Sequence, residues 1–418
     1  MILIHMQHAL NNMTTWASTW KVTFSATKTQ LVIFYVHATL PLAWSLFKLY
    51  LSGFIIKQTD TYKYLGLILH KQLDWKHHVH DLIQQTTQTS YHIARLASYH
   101  IHHRPSFGVI RQLVTSVLIP KITYALPFIQ FPYPLTHTVM RRMKRLIIYP
   151  LRRSLGLPNN AHHDSIFVES RVLPLPYLLI YHSILLARRY ITLAATPQEA
   201  IQRHRDMFLP TSLSLLSTPS DPMRYIATRC QLIPSSITST CASLLSATSR
   251  QIWNVVFGHF YHTWYSSQHP SNPLADPHSL FACYQHIYEC NNNTLPLYLS
   301  ILAPSLSSVV SRLRLNRSRI NQSLYKRSCV STDKCPRCPN NITETVEHVV
   351  MQCPSYDQLR FLLFFDLATL LKCPPLSSSF PFPFLLCEFP DSVPKAMHAR
   401  LVHRIASFLN EVRRLRDM

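Results

Sequence analysis

The chain has 418 residues, 47% of them hydrophobic, and its 41 lysines and arginines against 19 aspartates and glutamates give a formal net charge of +22. This length suffices for several modest domains, and the basic excess favours a polyanionic partner, nucleic acid or an anionic membrane face, over a charged surface without a specific partner. Only 5 glycines and 10 cysteines occur, too few for glycine-rich nucleotide-binding loops or for a disulfide framework.

The sequence also lacks the features of exported and membrane-spanning proteins. No charged-then-apolar signal pattern opens the chain, and no run of about 18 or more apolar residues occurs. We therefore predict an intracellular, reducing compartment, with the nucleus favoured over the cytoplasm, and no membrane partner. The oligomeric state stays open.

The N-terminal region is predicted to form a small α+β unit. Apolar residues at steps of three and four predict an amphipathic helix from Met1 to about Trp20. Val22–Phe24 and Leu31–Phe34 flank a Ser-Ala-Thr-Lys-Thr turn and predict a β-hairpin. A second hairpin is predicted with its turn at Gly53, and KYLGLIL (Lys63–Leu69) predicts one further strand.

From Trp75 onward the pattern becomes helical, so the fold class is predicted to be mainly α. Helices are predicted from Trp75 to about Ala97 and at Val109–Ala125, Val139–Ile148, Ile252–Tyr265 and Ala399–Arg416. The Ser/Thr/Pro/Leu-rich stretch at about 208–249 is predicted to be a linker or a weakly ordered helical region, and 371–390 to be irregular.

The most specific motif is a set of metal-ligand residue types with the spacing C-x2-C-x9-H-x4-C. Its members are Cys335, Cys338, His348 and Cys353. Three thiolates and one imidazole make a closed, structural Zn²⁺ site with no open position for catalysis. The alternative is unrelated cysteines beside a surface histidine, and Cys329 lies close enough in sequence to compete as a ligand.

Two basic clusters are predicted to contact phosphates. The first precedes the metal motif and comprises Arg312, Arg314, Arg317, Arg319, Lys326 and Arg327. The second is a basic amphipathic helix with Arg141, Arg142, Lys144 and Arg145. Arginine binds phosphate in a bidentate manner, and Tyr325 could stack on a base. A solvated helix face is the alternative for the first cluster, and a membrane surface is the alternative for the second.

The order of several short motifs resembles the C-terminal part of LINE-type (non-LTR) retrotransposon reverse transcriptases. The segments that carry the resemblance are WASTWKVTFSATKTQLVIF, KYLGLILHKQLDWKHHV, YALP at 124–127, LGLPNNA at 155–161, Glu169 with LPL at 173–175, the RLR segment at 312–314, and the metal motif with its EH and CPSY. Ser25 stands where the family has Asn, and His70 where it has Asp. The resemblance is weakest at about 180–300.

The resemblance implies a division of the chain and roles for some residues. It implies a palm remnant at 1–74, thumb helices at 75–155, a helical linker at 156–310, a basic segment with a zinc knuckle at 311–360, and C-terminal helices at 361–418. Lys28 would be the lysine of the palm's motif D, near the incoming nucleotide's phosphates. Tyr64–Gly66 would belong to the primer grip, and residues 312–353 would grip RNA or DNA.

Polymerisation requires two Mg²⁺ ions held by carboxylates, and the chain contains no Asp-Asp pair. The fingers and most of the palm are expected upstream of Met1, so Mg²⁺ would belong only to the full-length parent enzyme. The sequence therefore predicts a reverse-transcriptase fragment that binds RNA or DNA without catalytic residues. Two alternatives stay open, a domesticated zinc-dependent nucleic-acid adaptor and a helical structural protein.

Overall fold

A computed structural model of the protein describes residues 2–35, 47–72, 74–98, 104–124, 126, 135–193, 248–268, 295–339, 341–374 and 380–417. It contains two compact units, Met1–Gln85 and Thr86–Met418. The described residues are mainly helical, and all of their regular strands lie in the first unit. The predicted mainly α class is confirmed, whereas the division at residues 74, 155, 310 and 360 stays a prediction.

The first unit packs one helix against three short strand pairs. Its elements are α1 (Ile2–Thr19), β1 (Gln30–Leu31), β2 (Tyr50–Leu51), β3 (Phe54–Ile55), β4 (Lys57–Gln58), β5 (Thr61–Tyr64) and β6 (Leu67–His70). Leu49, Leu51 and Ile56 form its buried core, with Leu10 of α1 and Phe24 packed against them. The predicted N-terminal helix is confirmed.

Two tight turns define the antiparallel pairs of this unit. Between β2 and β3, Ser52 and Gly53 have φ of +47° and +82°, and between β5 and β6, Leu65 and Gly66 have φ of +46° and +85°. Two consecutive positive φ values are what two-residue hairpins of type I′ require. The hairpin predicted around Gly53 is confirmed. The single strand predicted at Lys63–Leu69 is wrong, because the Leu65–Gly66 turn folds it into a hairpin.

The first predicted hairpin is also wrong. Val22–Phe24 forms no strand, and β1 pairs in parallel with β4, with Gln30 opposite Lys57. The N–H groups of Lys28 and Thr29 both donate to the carbonyl of Ser25, so the chain makes a helical type of turn here. This turn directs the chain away from Val22–Phe24. The backbone of β1 therefore hydrogen bonds to β4, a strand more distant in sequence.

Helices are the main elements of the described part of the second unit. They are α2 (Lys76–Leu96, which begins in the first unit), α3 (Phe107–Leu113), α4 (Ile119–Thr123), α5 (His137–Ser154), α6 (His163–Ser170), α7 (Leu175–Leu193), α8 (Ser249–Gln268), α9 (Leu297–Ile301), α10 (Pro304–Arg314), α11 (Asn321–Tyr325), α12 (Asp357–Leu371) and α13 (Lys395–Asp417). A π-helical turn at Val114–Leu118 joins α3 to α4. Each helix predicted from the sequence is present, and α5 extends beyond the predicted Val139–Ile148.

Gly156 allows α10 to pass close to the end of α5. Its φ is +68°, and a Cβ placed on it would lie 2.6 Å from the hydroxyl oxygen of Ser308. Its carbonyl accepts a hydrogen bond of 2.7 Å from Nε of Arg312. Glycine tolerates positive φ and lacks the clashing carbon, so this close approach depends on it.

One sequence prediction falls largely outside the described residues, and a second falls outside them in part. The linker predicted at about 208–249 is described only at its last two positions, and part of the irregular 371–390 stretch, residues 375–379, is not described. Residues 384–386 of that stretch form a short 3₁₀ turn. None of the described helices combines the length and apolarity needed to cross a bilayer.

Candidate metal centre and arginine-lined groove

The four predicted ligands meet in a buried cluster. The sulfurs of Cys335 and Cys353 lie 3.8 Å apart, and the sulfur of Cys338 lies 3.6 Å from Nε2 of His348. One ligand atom from each residue lies within 4.8 Å of all the others. Tetrahedral zinc, with Zn–S bonds of about 2.3 Å and Zn–N bonds of about 2.1 Å, places two sulfurs about 3.8 Å apart and sulfur and nitrogen about 3.6 Å apart. The cluster therefore has the size of a zinc site.

A short turn presents the first two sulfurs. Backbone N–H groups of Arg337 and Cys338 hydrogen bond to the Cys335 sulfur. The N–H of Cys335 donates to the carbonyl of Ile342 at 2.9 Å, which closes the loop behind the turn. N–H donors aimed at a sulfur favour its thiolate form, which is the form that binds a metal.

The other two ligands sit at either end of a π-helical turn, His348–Gln352. The N–H of Cys353 donates to the carbonyl of His348, five residues earlier. In an α-helix, positions five apart point in clearly different directions, whereas a π turn brings them to the same side. Cys353 has extended φ and ψ just beyond this turn.

Burial controls protonation in the cluster. It raises the pKa of the Cys335 thiol to about 11, although the N–H groups of Arg337 and Cys338 oppose the rise. Burial also lowers the pKa of His348, which keeps its imidazole neutral and able to bind a metal. The thiol must lose its proton when a metal binds, so binding releases protons. Nδ1 of His348 is buried without a hydrogen-bond partner among the described residues.

Hydrogen bonds from arginines connect the metal-ligand cluster to the C-terminal helices α12 and α13. Nη2 of Arg360 in α12 donates to the carbonyl of Cys353 at 2.5 Å. Buried Glu344, beside the cluster, accepts bonds of 2.9 and 2.7 Å from Arg416 in α13. The guanidinium of Arg337 donates to the carbonyl of Leu415. The metal motif therefore contacts both α12 and α13.

A groove of about 320 Å³ adjoins the cluster. Apolar side chains form much of its wall, including Val349 and Val350 from the π turn that carries two ligands. Four arginines line it: Arg312, Arg319, Arg413 and Arg416. None of the described residues that line the groove is acidic. An arginine-rich groove with an apolar wall can bind a phosphate beside a buried ring.

Arg314, predicted to contact phosphate, lies in the interior and requires a correction. Its side chain is 1% exposed, and its Nε donates to Oε1 of Glu169 at 2.7 Å. Nη2 lies 2.6 Å from a carboxylate oxygen of Glu388, and Nη1 donates to the carbonyl of Leu386 at 2.8 Å. The prediction that Arg314 contacts phosphate is therefore wrong, because the carboxylates of Glu169 and Glu388 and a carbonyl bind its guanidinium.

The partners of Arg314 form a buried polar network. Burial alone would raise the pKa of Glu169, but the charge and hydrogen bonds of Arg314, with the hydroxyl of Tyr298 donating at 2.5 Å, bring that pKa below its ordinary value. Burial and the Glu169 charge hold the pKa of Tyr298 well above its ordinary value. The hydroxyls of Tyr298 and Ser311 lie 3.0 Å apart. Removing Arg314 would leave the charge of Glu169 buried and uncompensated.

The other members of the first basic cluster are only partly exposed, except Arg319. Arg319 is exposed and lines the groove. Arg312 donates to Gly156, Arg317 donates to the carbonyl of Asn316, and Arg327 donates to the carbonyls of Ser323 and Ser318. Lys326 lines a separate depression. Much of this cluster therefore satisfies backbone carbonyls.

The second basic cluster lies on one face of α5. Arg141, Arg142 and Arg145 are exposed, while Met143 and Ile147 are buried on the opposite face. Lys144 is partly buried and pairs with Asp164 at 2.6 Å. In the first unit, Lys28 is exposed in the turn that begins at Ser25.

The contribution of α13 to the groove was not predicted from the sequence. Arg413 and Arg416 share a face with Leu409 and Val412, at steps of three and four. That periodicity, together with the basic character of the segment, was the available signal. The pairing of this face with Arg312 and Arg319 could not be inferred, because the segments lie about a hundred residues apart in the chain.

Comparison with protein-family models, with curated proteins and with solved structures returns no match for the chain.

Cys329 is exposed and is not a member of the metal-ligand cluster. The candidate site thus consists of Cys335, Cys338, His348 and Cys353 and of the adjoining arginine groove.

Proposed function

We propose that the chain binds RNA or DNA through its arginine-rich surfaces, and that its C-terminal module is organised around a structural zinc ion. The observation that carries this proposal is the shared π turn. It supplies two ligands of the buried cluster, His348 and, at its end, Cys353, and it also forms part of the wall of the arginine groove. Zinc would therefore fix the shape of a phosphate-binding groove without taking part in catalysis.

The groove matches the chemistry of single-stranded nucleic acid. Exposed Arg319 and Arg413 offer donors to phosphate oxygens, and the apolar wall offers a surface for a base. Arg416 also faces the groove, but its guanidinium pairs with Glu344 and so contributes less net charge. A strand entering here would displace counterions, which makes binding depend steeply on salt.

We further propose that the chain is the C-terminal part of a LINE-type reverse transcriptase. The motif order supports this, together with a structural feature. The RLR segment at 312–314 is remote in sequence from LGLPNNA and from Glu169. Even so, Arg312 donates a hydrogen bond to the carbonyl of Gly156, and Arg314 pairs with Glu169. Motifs that carry the resemblance thus contact one another. The palm, thumb and knuckle assignments, and the roles of Lys28 and Tyr64–Gly66, belong to this proposal.

The proposed activity is binding and not synthesis. The sequence contains no adjacent pair of aspartates. Asp60 pairs with Lys71 at 2.9 Å, and the carboxylate of Asp74 lies 3.6 Å from the ring of His70. Two-metal polymerisation needs carboxylates that hold both Mg²⁺ ions, so we expect no primer extension by this chain.

Zinc content and nucleic-acid binding test the proposal together. Purified wild-type protein should hold about one tightly bound Zn²⁺, and Cys335→Ser with Cys338→Ser should remove it. Filter binding of single-stranded RNA and DNA across salt should give a steep slope. Arg319→Ala with Arg413→Ala should reduce both the nucleic-acid affinity and its salt slope. Arg400, an exposed arginine of α13, lies outside the groove, so Arg400→Ala should change neither.

The outcomes separate the proposed function from its alternatives. Zinc-loaded protein with weak, salt-independent nucleic-acid binding would favour a helical structural protein. Steep salt dependence without tightly bound zinc would leave a basic nucleic-acid binder and refute the metal centre. Primer extension by the wild-type chain would contradict the absence of polymerase activity.

A further inference from the structure

A second cluster of metal-ligand residue types lies in the first unit, apart from the cysteines. His70, Asp74 and His77 each place one ligand atom within 4.8 Å of the other two. Nδ1 of His70 lies 3.6 Å from Oδ2 of Asp74. The rings of His70 and His77 lie 4.6 Å apart between centroids, at an angle of 34°. Two imidazoles and one carboxylate thus converge on one point.

The local structure explains why the three side chains meet. His70 ends β6, and His77 lies in the first turn of α2. Asp74 lies between them, and its Oδ1 accepts a hydrogen bond of 3.3 Å from the N–H of Lys76. That bond leaves Oδ2 directed at His70. A ligating carboxylate whose other oxygen accepts an N–H is typical of metal sites.

We propose that His70, Asp74 and His77 bind a divalent transition-metal ion, with zinc as the first candidate, leaving one coordination position for water. Nitrogens bound at about 2.1 Å to a tetrahedral ion lie about 3.4 Å apart. The ligand atoms lie within 4.8 Å of one another, so each pair must approach by at most about 1.4 Å. The exposed ring of His77 can make that movement by rotation. The donor set of imidazole and carboxylate suits zinc and other borderline divalent ions.

The surroundings make this site weaker than the cysteine cluster. The N–H of Gln72 donates to Nδ1 of His70 at 3.4 Å, a long bond that a metal would have to replace. The positive end of α2 and the exposed Lys76 oppose a cation, while Lys71 is paired with Asp60. Because this set has no thiolate, it binds zinc less tightly than three cysteines and a histidine do.

Zinc titration of the metal-free, full-length chain tests the proposal. Competition with a chromophoric chelator should reveal two classes of site, one tight and one weak. His70→Ala with His77→Ala should abolish the weak class and keep the tight one, and Asp74→Asn should weaken it. His80→Ala changes an exposed histidine of the same helix outside the cluster, and should leave both classes intact.

Cobalt provides an independent readout. Co²⁺ bound by thiolates gives sulfur-to-metal charge-transfer absorption, whereas Co²⁺ bound by imidazole and carboxylate gives only ligand-field bands. In Cys335→Ser with Cys338→Ser, we expect ligand-field absorption without charge transfer, and the further change His70→Ala should remove it. Survival of the weak class in the double histidine variant, with circular dichroism unchanged, would overturn the proposal. So would a single class of site in the wild-type chain.

Discussion

The two arginine-rich regions of this protein use the same residue type for different purposes. On α5, Arg141, Arg142 and Arg145 face solvent and Met143 faces the interior, so the helix presents a positive surface. In the segment before the metal motif, Arg314 is wholly buried, and its neighbours donate largely to backbone carbonyls. Both regions look equally basic in sequence, but only the first keeps most of its arginines exposed.

The difference shows what an arginine guanidinium can do. Its five donors in a planar fork suit phosphate, but they suit a pair of carboxylates or several carbonyls equally well. Arg314 contacts Glu169, Glu388 and the carbonyl of Leu386, so most of its donors are used internally. Charge counted along the chain therefore overestimates the surface available to a polyanion.

The strongest contrast should appear when Arg314 is removed. Arg314→Ala leaves Glu169 buried and uncompensated, and we expect a loss of about 3–5 kcal/mol in the free energy of unfolding. Urea denaturation measures it. The matched change Arg319→Ala, at an exposed position of the same segment, should alter stability by less than about 0.5 kcal/mol. Equal effects of the two substitutions would abolish the distinction between structural and surface arginines.

The same buried pair predicts a pH dependence. The pKa of Glu169 is lowered in the folded state, so its stabilising contribution is present above the unfolded pKa of about 4.3. It is lost as pH falls through the lower, folded pKa. The stability difference between wild type and Glu169→Gln should therefore stay constant from neutral pH down to about 4.3 and shrink below it.

Glu388 provides the control for this measurement. Burial raises its pKa, so its contribution has the opposite sign and becomes more favourable as pH falls through the raised value. The difference in the free energy of unfolding between wild type and Glu388→Gln, measured over the same pH range, should change in the opposite direction. If both variants change in parallel with pH, the assignment of opposite shifts to the two carboxyl groups is wrong.

For the exposed region, the readout is nucleic-acid affinity. Replacing Arg141, Arg142 and Arg145 together by alanine should reduce the salt slope for single-stranded RNA by about 2, at about 0.7 per phosphate contact. Lysine at all three positions keeps the charge and should keep the slope. An unchanged slope in the alanine variant would show that α5 does not contact phosphate.

The smallest effect is expected at Lys144, whose ammonium pairs with Asp164 on the partly exposed edge of α5. A double-mutant cycle with Lys144→Met and Asp164→Asn should give a coupling of at most about 1 kcal/mol. A coupling as large as the stability loss expected for Arg314→Ala would mean that this edge of α5 is buried as deeply as Glu169 and its partners.

Much of the site could be predicted because it rests on local chemistry. The ligand types and spacing identified Cys335, Cys338, His348 and Cys353, and the structure brings these four together. The helices followed from apolar periodicity, and glycine identified the turn at Gly53. The pairing of strands could not be predicted in this way. The hairpin expected after α1 is wrong because β1 pairs with β4.

The sequence by itself determined which side chains can bind a metal, where helices form and that the chain is strongly basic. Only the tertiary structure decided that Arg314 is buried against Glu169, that a π turn aligns His348 with Cys353, and that Arg413 shares a groove with Arg319. The reason is physical. Ligand chemistry and helix periodicity act within a few residues, whereas exposure depends on elements brought together from distant parts of the chain.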